Sequence, residues 1–431
     1  MALRRNLSRD KKNGLVESSV KNRLGLTLTP YEKPALQILD FKGKKAASLD
    51  IANLHDSLQA SDKSSIANSK FNPEKSNDRF YLRYENPALA GKGFIVANIE
   101  SSNPTNPDSS YQDSTLVYLY EDPQQPGTFY SKPIVLVSNR SFDNYPLNGH
   151  KDNDPKDQTV LAELGSQITV TYQDDVVGKQ ETASVSVPIK KVMEVQPFLV
   201  RDKKGRLLST EKDAEKKTAL MQESLAPAGI KVEVLPAKII DLPRGIKLED
   251  GLSARELRRL ARYTAKFYPP EKGLRFVMTG DTPLLEGKVH GISYTKEFRR
   301  ISLKTENAVF ASDRSAARTP GHESVHCLID SVLVEDEKAF RSIGHYRSTG
   351  RNSVGFHHNS DFNLMSRMAS TRVRELWGSE HLTDAQIEII LQSSILKDPS
   401  LQPKSFQRNQ STRQILDPND NRLVLSPLNI I

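Results

Sequence analysis

Residues 319–332, with the sequence TPGHESVHCLIDSV, indicate how the C-terminal half of the chain is built. Thr319 is a typical residue at the N-cap of a helix, and Pro320 is favoured at the first helical position because its missing N–H is not needed there. The stretch therefore predicts a helix from about Thr319 to about Val332.

This helix carries the pattern His-Glu-x-x-His. His322 and His326 are four residues apart, so their side chains lie one turn apart on the same face and both imidazoles can reach one metal ion. Glu323 follows the first histidine and can turn towards the open position of the metal as a general base. The pattern predicts a zinc site with an adjacent proton acceptor.

A zinc site needs a third protein ligand. Asp330 lies on the same helix face, but it is about 12 Å along the axis from His322 at about 1.5 Å per residue, which is too far for one ion. Better candidates lie in residues 355–365, GFHHNSDFNLM, where His357 and His358 stand side by side.

The segment from His358 to Met365 resembles the end of a metzincin zinc site of the matrixin-like branch. There the third histidine precedes a short polar segment and a Leu-Met turn beneath the metal. The resemblance implies that Zn²⁺ is held by His322, His326 and His358, with Met365 as the Met-turn methionine. His357 is the first alternative, followed by His345, an acidic residue such as Glu335 or Glu337, or no third ligand at all.

The resemblance covers roughly residues 195–395 and implies a metzincin-like α/β zincin catalytic domain. The order of predicted strands and helices fits, as do the segments APAGI at 226–230 and LTDAQ at 382–386. Two features depart from the family. Ile329 and Val332 stand where metzincins have a glycine and the third ligand, and an insertion from about 330 to 355 separates the two parts of the site.

Helix starts in this domain are marked by capping boxes, in which two side chains satisfy backbone N–H groups reciprocally. The pairs are Thr210 with Asp213, Ser253 with Glu256, and Thr383 with Gln386. Gly229 is expected to close the first of these helices in a left-handed conformation.

Residues 76–192 contain short runs rich in β-branched and aromatic residues, separated by turn residues. They predict an antiparallel β-sandwich, immunoglobulin-like or fibronectin-like by strand count and turn spacing, as an accessory domain. The whole chain is therefore predicted to be an α+β multidomain protein. Residues 1–75 are predicted to be a weakly structured basic segment, and 396–431 a C-terminal tail.

Composition excludes several classes. The chain has 431 residues, with 61 Lys+Arg against 53 Asp+Glu, and the net charge of +8 comes mostly from residues 1–23. A single cysteine, Cys327, excludes an internal disulfide scaffold. No apolar run approaches the roughly 20 residues of a membrane span, and no signal peptide is predicted. We expect a cytoplasmic protein or one exported by a non-standard route, without a nucleic-acid partner.

The function predicted from these residues is zinc-dependent endopeptidase activity on a protein or peptide substrate. Glu323 would accept the proton of the attacking water and return it to the leaving amine. Asp361 is a candidate to orient His358. One alternative is a catalytically inactive metzincin-like binding or structural protein, and another is a protease delivered as a toxin or effector.

Overall fold

The computed structural model describes fourteen parts of the chain: residues 35–53, 76–107, 109, 111–138, 158–174, 178–248, 251–285, 290–294, 306–316, 318–333, 346–347, 357–358, 364–365 and 382–399. Of residues 330, 331, 333, 346–347 and 357–358 it describes the backbone alone. No helix of the described part is long and apolar enough to cross a membrane.

Strands dominate the first half of the described chain, and strands alternate with helices in the second. The strands are β1 (Ala35–Leu39), β2 (Tyr81–Glu85), β3 (Phe94–Ser102), β4 (Asp113–Asp122), β5 (Gln125–Ser131), β6 (Val135–Val137), β7 (Thr159–Leu161), β8 (Gln167–Asp174), β9 (Lys179–Ser186), β10 (Lys191–Arg201), β11 (Ile230–Val234), β12 (Lys238–Asp241), β13 (Leu274–Met278), β14 (Gly291–Tyr294), β15 (Ala308–Ala311), β16 (Tyr346–Arg347) and β17 (His357–His358). The α-helices are α1 (Glu211–Leu225), α2 (Ala254–Thr264), α3 (Thr319–Leu333) and α4 (Asp384–Ile390).

The first half forms a seven-stranded antiparallel sheet in the order β1-β2-β5-β4-β3-β8-β9. Its strands alternate buried and exposed residues, because successive side chains of a strand point to opposite faces. The N–H of Leu49 donates to the carbonyl of Ser186 (3.0 Å), so the segment after β1 meets the far edge at β9. This contact curls the sheet towards a barrel.

The predicted antiparallel β-structure is confirmed, but its arrangement differs from two facing sheets. In the described residues the strands belong to one curled sheet, with β6 and β7 forming a separate parallel ladder. Residues 35–53, which fall within the segment predicted to be weakly structured, supply β1 and the core side chains Leu36, Ile38, Leu49 and Ile51. Apolar residues that alternate along β1 are buried against the core and cover the edge of the sheet.

The second half is a mixed sheet with helices on both faces. Strands β11, β10, β13 and β15 run parallel, β14 is antiparallel at the edge beside β15, and β12 pairs with the second half of β10. Helices α1 and α3 contribute to the apolar core on one face, and α2 to the core on the other. The mixed α+β class is confirmed.

The two halves meet at the end of α1. Ala226 lies in the core of the antiparallel sheet, and the hydroxyl of Tyr111 donates to the carboxylate of Glu223 (3.1 Å). A second contact joins Asn53 to the start of α4, where its side-chain amide donates to the carbonyl of Leu382 (2.6 Å). The N-terminal sheet therefore supports two helices of the second half.

The contact at Asn53 contains a half-buried carboxyl group, that of Asp78. The backbone N–H of Asn53 donates to Asp78 (2.9 Å). The pKa of Asp78 is raised to about 6, mainly because burial disfavours the charged form. The nearby carboxylates of Asp50 and Asp384 act in the same direction, and the Asn53 N–H and Lys190 oppose them. Above pH 6 this contact therefore holds a poorly solvated charge.

Asp78→Asn is expected to remove a pH dependence of stability. Because the folded chain keeps the Asp78 proton between about pH 4 and 6 and the unfolded chain does not, the wild-type free energy of unfolding falls as pH rises through this window. The loss is at most about 3 kcal/mol above pH 6, at about 1.4 kcal/mol per pKa unit. Denaturant titrations at pH 4.5 and 7.5 measure this loss.

Asp50→Asn, at an exposed ion pair with Lys190, is the matched control and should keep most of the pH dependence. Equal pH dependence in wild type and Asp78→Asn would contradict this account.

Candidate active site

Helix α3 is held close to its neighbours by two glycines. A Cβ on Gly321 would lie 2.5 Å from the Cβ of Ser224 on α1, and a Cβ on Gly291 of β14 would lie 2.1 Å from the Cγ2 of Thr319. A side chain at Gly321 would require the backbone to move, and one at Gly291 would require Thr319 or the backbone to move. Glycines thus allow the first turn of α3 to pack directly between α1 and the edge strand.

The loop before α3 is fixed by a buried lysine. Lys217 of α1 donates to both the carbonyl and the hydroxyl of Ser315, each at 2.7 Å. Burial lowers the pKa of Lys217, and Asp313 opposes that effect. Asp313 itself accepts a hydrogen bond from the hydroxyl of Ser209 (2.9 Å). These bonds connect the end of β15 to α1 immediately before the His-Glu-x-x-His helix begins.

The two histidines of α3 converge as the spacing predicts. The Nε2 atoms of His322 and His326 are 3.1 Å apart, and the rings meet edge to face with centroids 4.8 Å apart. His326 is buried, whereas His322 is half-buried. One turn of the helix therefore brings the two Nε2 atoms to within 3.1 Å of each other.

The tautomer of His322 is set by Leu364, a residue that is distant in the chain. Its Nδ1 donates to the carbonyl of Leu364 (2.6 Å), which can only accept. The lone pair of His322 is therefore on Nε2 and faces His326. At 3.1 Å, two Nε2 lone pairs repel unless a proton or a cation lies between them.

This donor pair fits a metal ion. With nitrogen–zinc bonds of about 2.0–2.1 Å, two ligands of a tetrahedral ion lie about 3.3 Å apart, close to the observed separation. Histidines that bind metals also commonly donate their other ring N–H to a carbonyl, as His322 does to Leu364. The chemistry and spacing of the two imidazoles suit Zn²⁺.

Glu323 is oriented by the edge strand. The hydroxyl of Ser293 in β14 donates to Oε2 of Glu323 (2.8 Å). Ser293 is buried and Glu323 is half-buried. This hydrogen bond to one carboxylate oxygen holds the side chain of Glu323 in its orientation.

Met365 lies beneath α3. Leu364 and Met365 form a turn, and both are fully buried in the core that contains Val325 and Leu328 of α3. The same turn supplies the carbonyl that holds His322. Met365 therefore packs in the same apolar core as the helix that carries the two histidines.

The candidates for a third ligand are only partly described. His357 and His358 form β17, whose backbone pairs with β16 so that Tyr346 faces His358. The side chains of both histidines, and the whole of His345 and Asp361, lie outside the described residues. Within the described part, no group of three His, Cys, Asp or Glu side chains is placed to hold a metal ion.

Several positioning groups were not identified from the sequence. Ser293 belongs to no motif of the sequence, and Lys217 appears in the sequence as one of many surface-type lysines. The glycine at 321 has a partial signal, since a glycine within a helix commonly marks a close approach. The role of each of these three residues depends on a contact with a residue that is distant in the chain.

Comparisons with known proteins give limited information. No family model and no curated protein matches the chain. Among solved structures, metalloproteinase-II from Bacteroides fragilis is similar, with 14% identity and a TM-score of 0.29, over 73% of this chain and 82% of that one. A zinc-dependent peptidase from Methanocorpusculum labreanum is similar with 12% identity and a TM-score of 0.26, over 46% of this chain and 99% of that one. Similarities this distant support no argument about function.

Proposed function

We propose that this protein is a zinc-dependent endopeptidase of the metzincin type. The observation that carries the proposal is the pair of Nε2 atoms of His322 and His326, 3.1 Å apart, with the tautomer of His322 set by the Leu364 carbonyl. His358 is the proposed third ligand, His357 the alternative, and Met365 the methionine of the supporting turn.

Bound at this site, Zn²⁺ would act as a Lewis acid that polarises a carbonyl group and lowers the pKa of a water molecule to about 7. Glu323 accepts the proton of the attacking water and returns it to the nitrogen of the leaving amine. Ser293 keeps the carboxylate in the orientation for both transfers. Leu364 holds His322 so that its Nε2 stays available for the metal.

The edge strand β14 suits a peptide substrate. In the described residues β14 pairs with β15 on one side only. An extended peptide can add to the open edge of such a strand through main-chain hydrogen bonds. Because Gly291 lies against Thr319 and Ser293 contacts Glu323, a peptide along this edge would pass beside the first turn of α3.

The test is the metal content of the purified protein and of single variants. We expect about one zinc per chain in the wild type, loss of zinc in His358→Ala, and retention in His357→Ala and His345→Ala. Near-ultraviolet circular dichroism of each variant shows whether the fold is kept.

The other outcomes separate the alternatives. Loss of zinc in His357→Ala, together with retention of zinc in His358→Ala, would identify His357 as the third ligand. A wild type that holds no zinc after incubation with the metal would contradict the enzyme proposal and favour a metzincin-like binding or structural protein.

A further inference from the structure

A row of cations lies along the outer surface of helix α2, on the opposite face of the mixed sheet from helix α3. Residues 254–266 contain four arginines and one lysine against a single carboxylate. At about 100° per residue in a helix, Arg255, Arg259 and Arg262 lie within an arc of about 60°. Lys266 continues the row in the hydrogen-bonded turn that follows the helix. We call this surface the basic face; it consists of Arg255, Arg259, Arg262 and Lys266.

The fold turns the basic face towards solvent. The opposite side of α2 carries Leu257, Leu260 and Ala261, which are buried in the core between the helix and the sheet. All four cations of the basic face are exposed. The row is about 16 Å long at about 1.5 Å per residue, so the four charges stand together on the outer surface of one helix. Because the sheet covers its apolar side, α2 meets a partner through its cations.

The described residues do not neutralise the basic face. None of its four cations takes part in an ion pair within the described part of the chain. The one carboxylate of α2, that of Glu256, is held at the start of the helix, where it accepts from the backbone N–H groups of Lys247 and Ser253 (3.0 Å each). Asp241, on the strand before the helix, pairs with Arg201. The charge of the basic face is therefore available to a partner.

The distribution of charge along the chain points to the same region. Residues 238–272 contain nine Lys and Arg against five Asp and Glu, including Glu249 and Asp250, which lie outside the described residues. This region carries +4 and residues 1–23 carry +5, so the rest of the chain carries −1 of the total of +8. Beyond residue 23, the net positive charge is therefore concentrated around α2. By charge complementarity, the partner of this surface is anionic.

An exposed aromatic ring lies at the end of the basic face. Phe267 is 44% exposed, and its ring meets the Tyr263 ring edge to face with centroids 5.3 Å apart. The ammonium of Lys266 lies 5.7 Å from the centre of the Tyr263 ring, and Lys238 donates to the carbonyl of Phe267 (3.0 Å). These contacts hold an apolar side chain beside cations. Such a combination is typical of surfaces that bind where lipid headgroups meet acyl chains.

We propose that the basic face docks the protein on a membrane that contains anionic phospholipids. A planar layer of phosphate groups reaches all four cations at once, because they form one row on the outer surface of a helix. Clusters of about four to eight Lys and Arg on a helix are typical of binding to anionic lipids. Phe267 inserts beside them at the boundary of the acyl chains.

Two further observations favour a membrane. Single-stranded nucleic acids are bound through successive stacked rings, whereas Phe267 is the one exposed ring among the described residues of this surface. The histidine pair of α3 lies on the other face of the sheet, so docking through α2 does not cover it.

Co-sedimentation of the full chain with lipid vesicles tests the proposal. We expect binding to phosphatidylcholine vesicles that contain phosphatidylglycerol and no binding to pure phosphatidylcholine. Binding should be lost at about 1 M salt, where the screening length is about 3 Å. Arg255→Gln/Arg262→Gln should bind about 25-fold more weakly, at about fivefold for each cation near the surface. Arg255→Lys/Arg262→Lys keeps both charges and should bind like the wild type. Near-ultraviolet circular dichroism shows whether each variant keeps the fold.

Two matched pairs of lysines show whether the position of the charges matters. Lys203→Gln/Lys204→Gln removes the same charge at an exposed turn after β10 and should keep most of the binding. Lys11→Gln/Lys12→Gln removes it from the basic N-terminal segment. A loss confined to the Lys11 and Lys12 pair would assign vesicle binding to that segment. An equal loss in all three glutamine pairs would reduce the binding to an effect of net charge. Either result would overturn the proposal.

Two other results would also overturn it. One is the absence of binding to vesicles that contain phosphatidylglycerol. The other is binding of a single-stranded oligothymidylate, without binding to vesicles, that Arg255→Gln/Arg262→Gln abolishes; this would assign the basic face to nucleic acid. Because the readout is binding, it does not depend on zinc or on peptidase activity.

Discussion

Glu323→Gln is expected to lower the rate of peptide hydrolysis by about 10²–10⁴-fold while zinc content stays at the wild-type value. The amide keeps the size of the carboxylate and can still accept the hydrogen bond from Ser293, but it cannot take a proton from water. The histidines that hold the metal are unchanged. Cleavage of a fluorescent casein, with zinc measured on the same preparations, gives both quantities.

Two further variants make this result specific. Ser293→Ala should lower the rate by about tenfold, the effect of one hydrogen bond to a charged group. Glu388→Gln makes the same chemical change at an exposed site on α4 and should leave the rate unchanged. A Glu323→Gln variant that cleaves casein at the wild-type rate would show that another group is the base.

Gly321→Ala is expected to destabilise the protein by about 1–3 kcal/mol, the usual effect of inserting an extra atom into a packed contact. Helix propensity alone predicts the opposite sign, since alanine is favoured over glycine within a helix by about 0.5–1 kcal/mol. The added Cβ would lie 2.5 Å from both the Cβ and the Oγ of Ser224. Helix α3 must therefore move away from α1, and His322, the next residue, moves with it. We expect weaker zinc retention as well as a lower melting temperature.

Ser224→Gly is the compensating change. It removes both atoms that the new Cβ would meet, and the nearest atom that remains is the Cδ1 of Leu364, at an ordinary contact distance of 3.8 Å. In a double-mutant cycle, Gly321→Ala should then be harmless or stabilising in the Ser224→Gly background. A rise in melting temperature for Gly321→Ala alone would mean that the two helices are not in close contact.

Local features of the site were predictable because they depend on neighbours in sequence. All three capping boxes form as expected, at Thr210, Ser253 and Thr383. Gly229 adopts the left-handed conformation with φ of 73°. The i, i+4 spacing alone brought His322 and His326 together, since helix geometry fixes that distance.

Long-range features were not predictable from pattern. The sequence indicated antiparallel strands in 76–192, but the pairing of Leu49 with Ser186 that curls them into one sheet joins residues distant in the chain. Arg275 looks like a surface residue in the sequence, yet it is fully buried and donates to Ala261, Thr264 and Glu306. Two of these partners are backbone carbonyl groups, and every residue has one, so the residue types do not identify them.

By itself the sequence determined the helix that begins at Thr319, the convergence of its two imidazoles and the adjacent carboxylate. The last two follow from helix geometry within a single turn. Only the tertiary structure decided the orientation of these groups. The Leu364 carbonyl sets the tautomer of His322, and the Ser293 hydroxyl orients Glu323. Gly321 allows α1 to pack closely against α3. The physical reason is that hydrogen bonds and close packing depend on which distant segments the fold brings together, and the identity of a residue does not encode its distant partner.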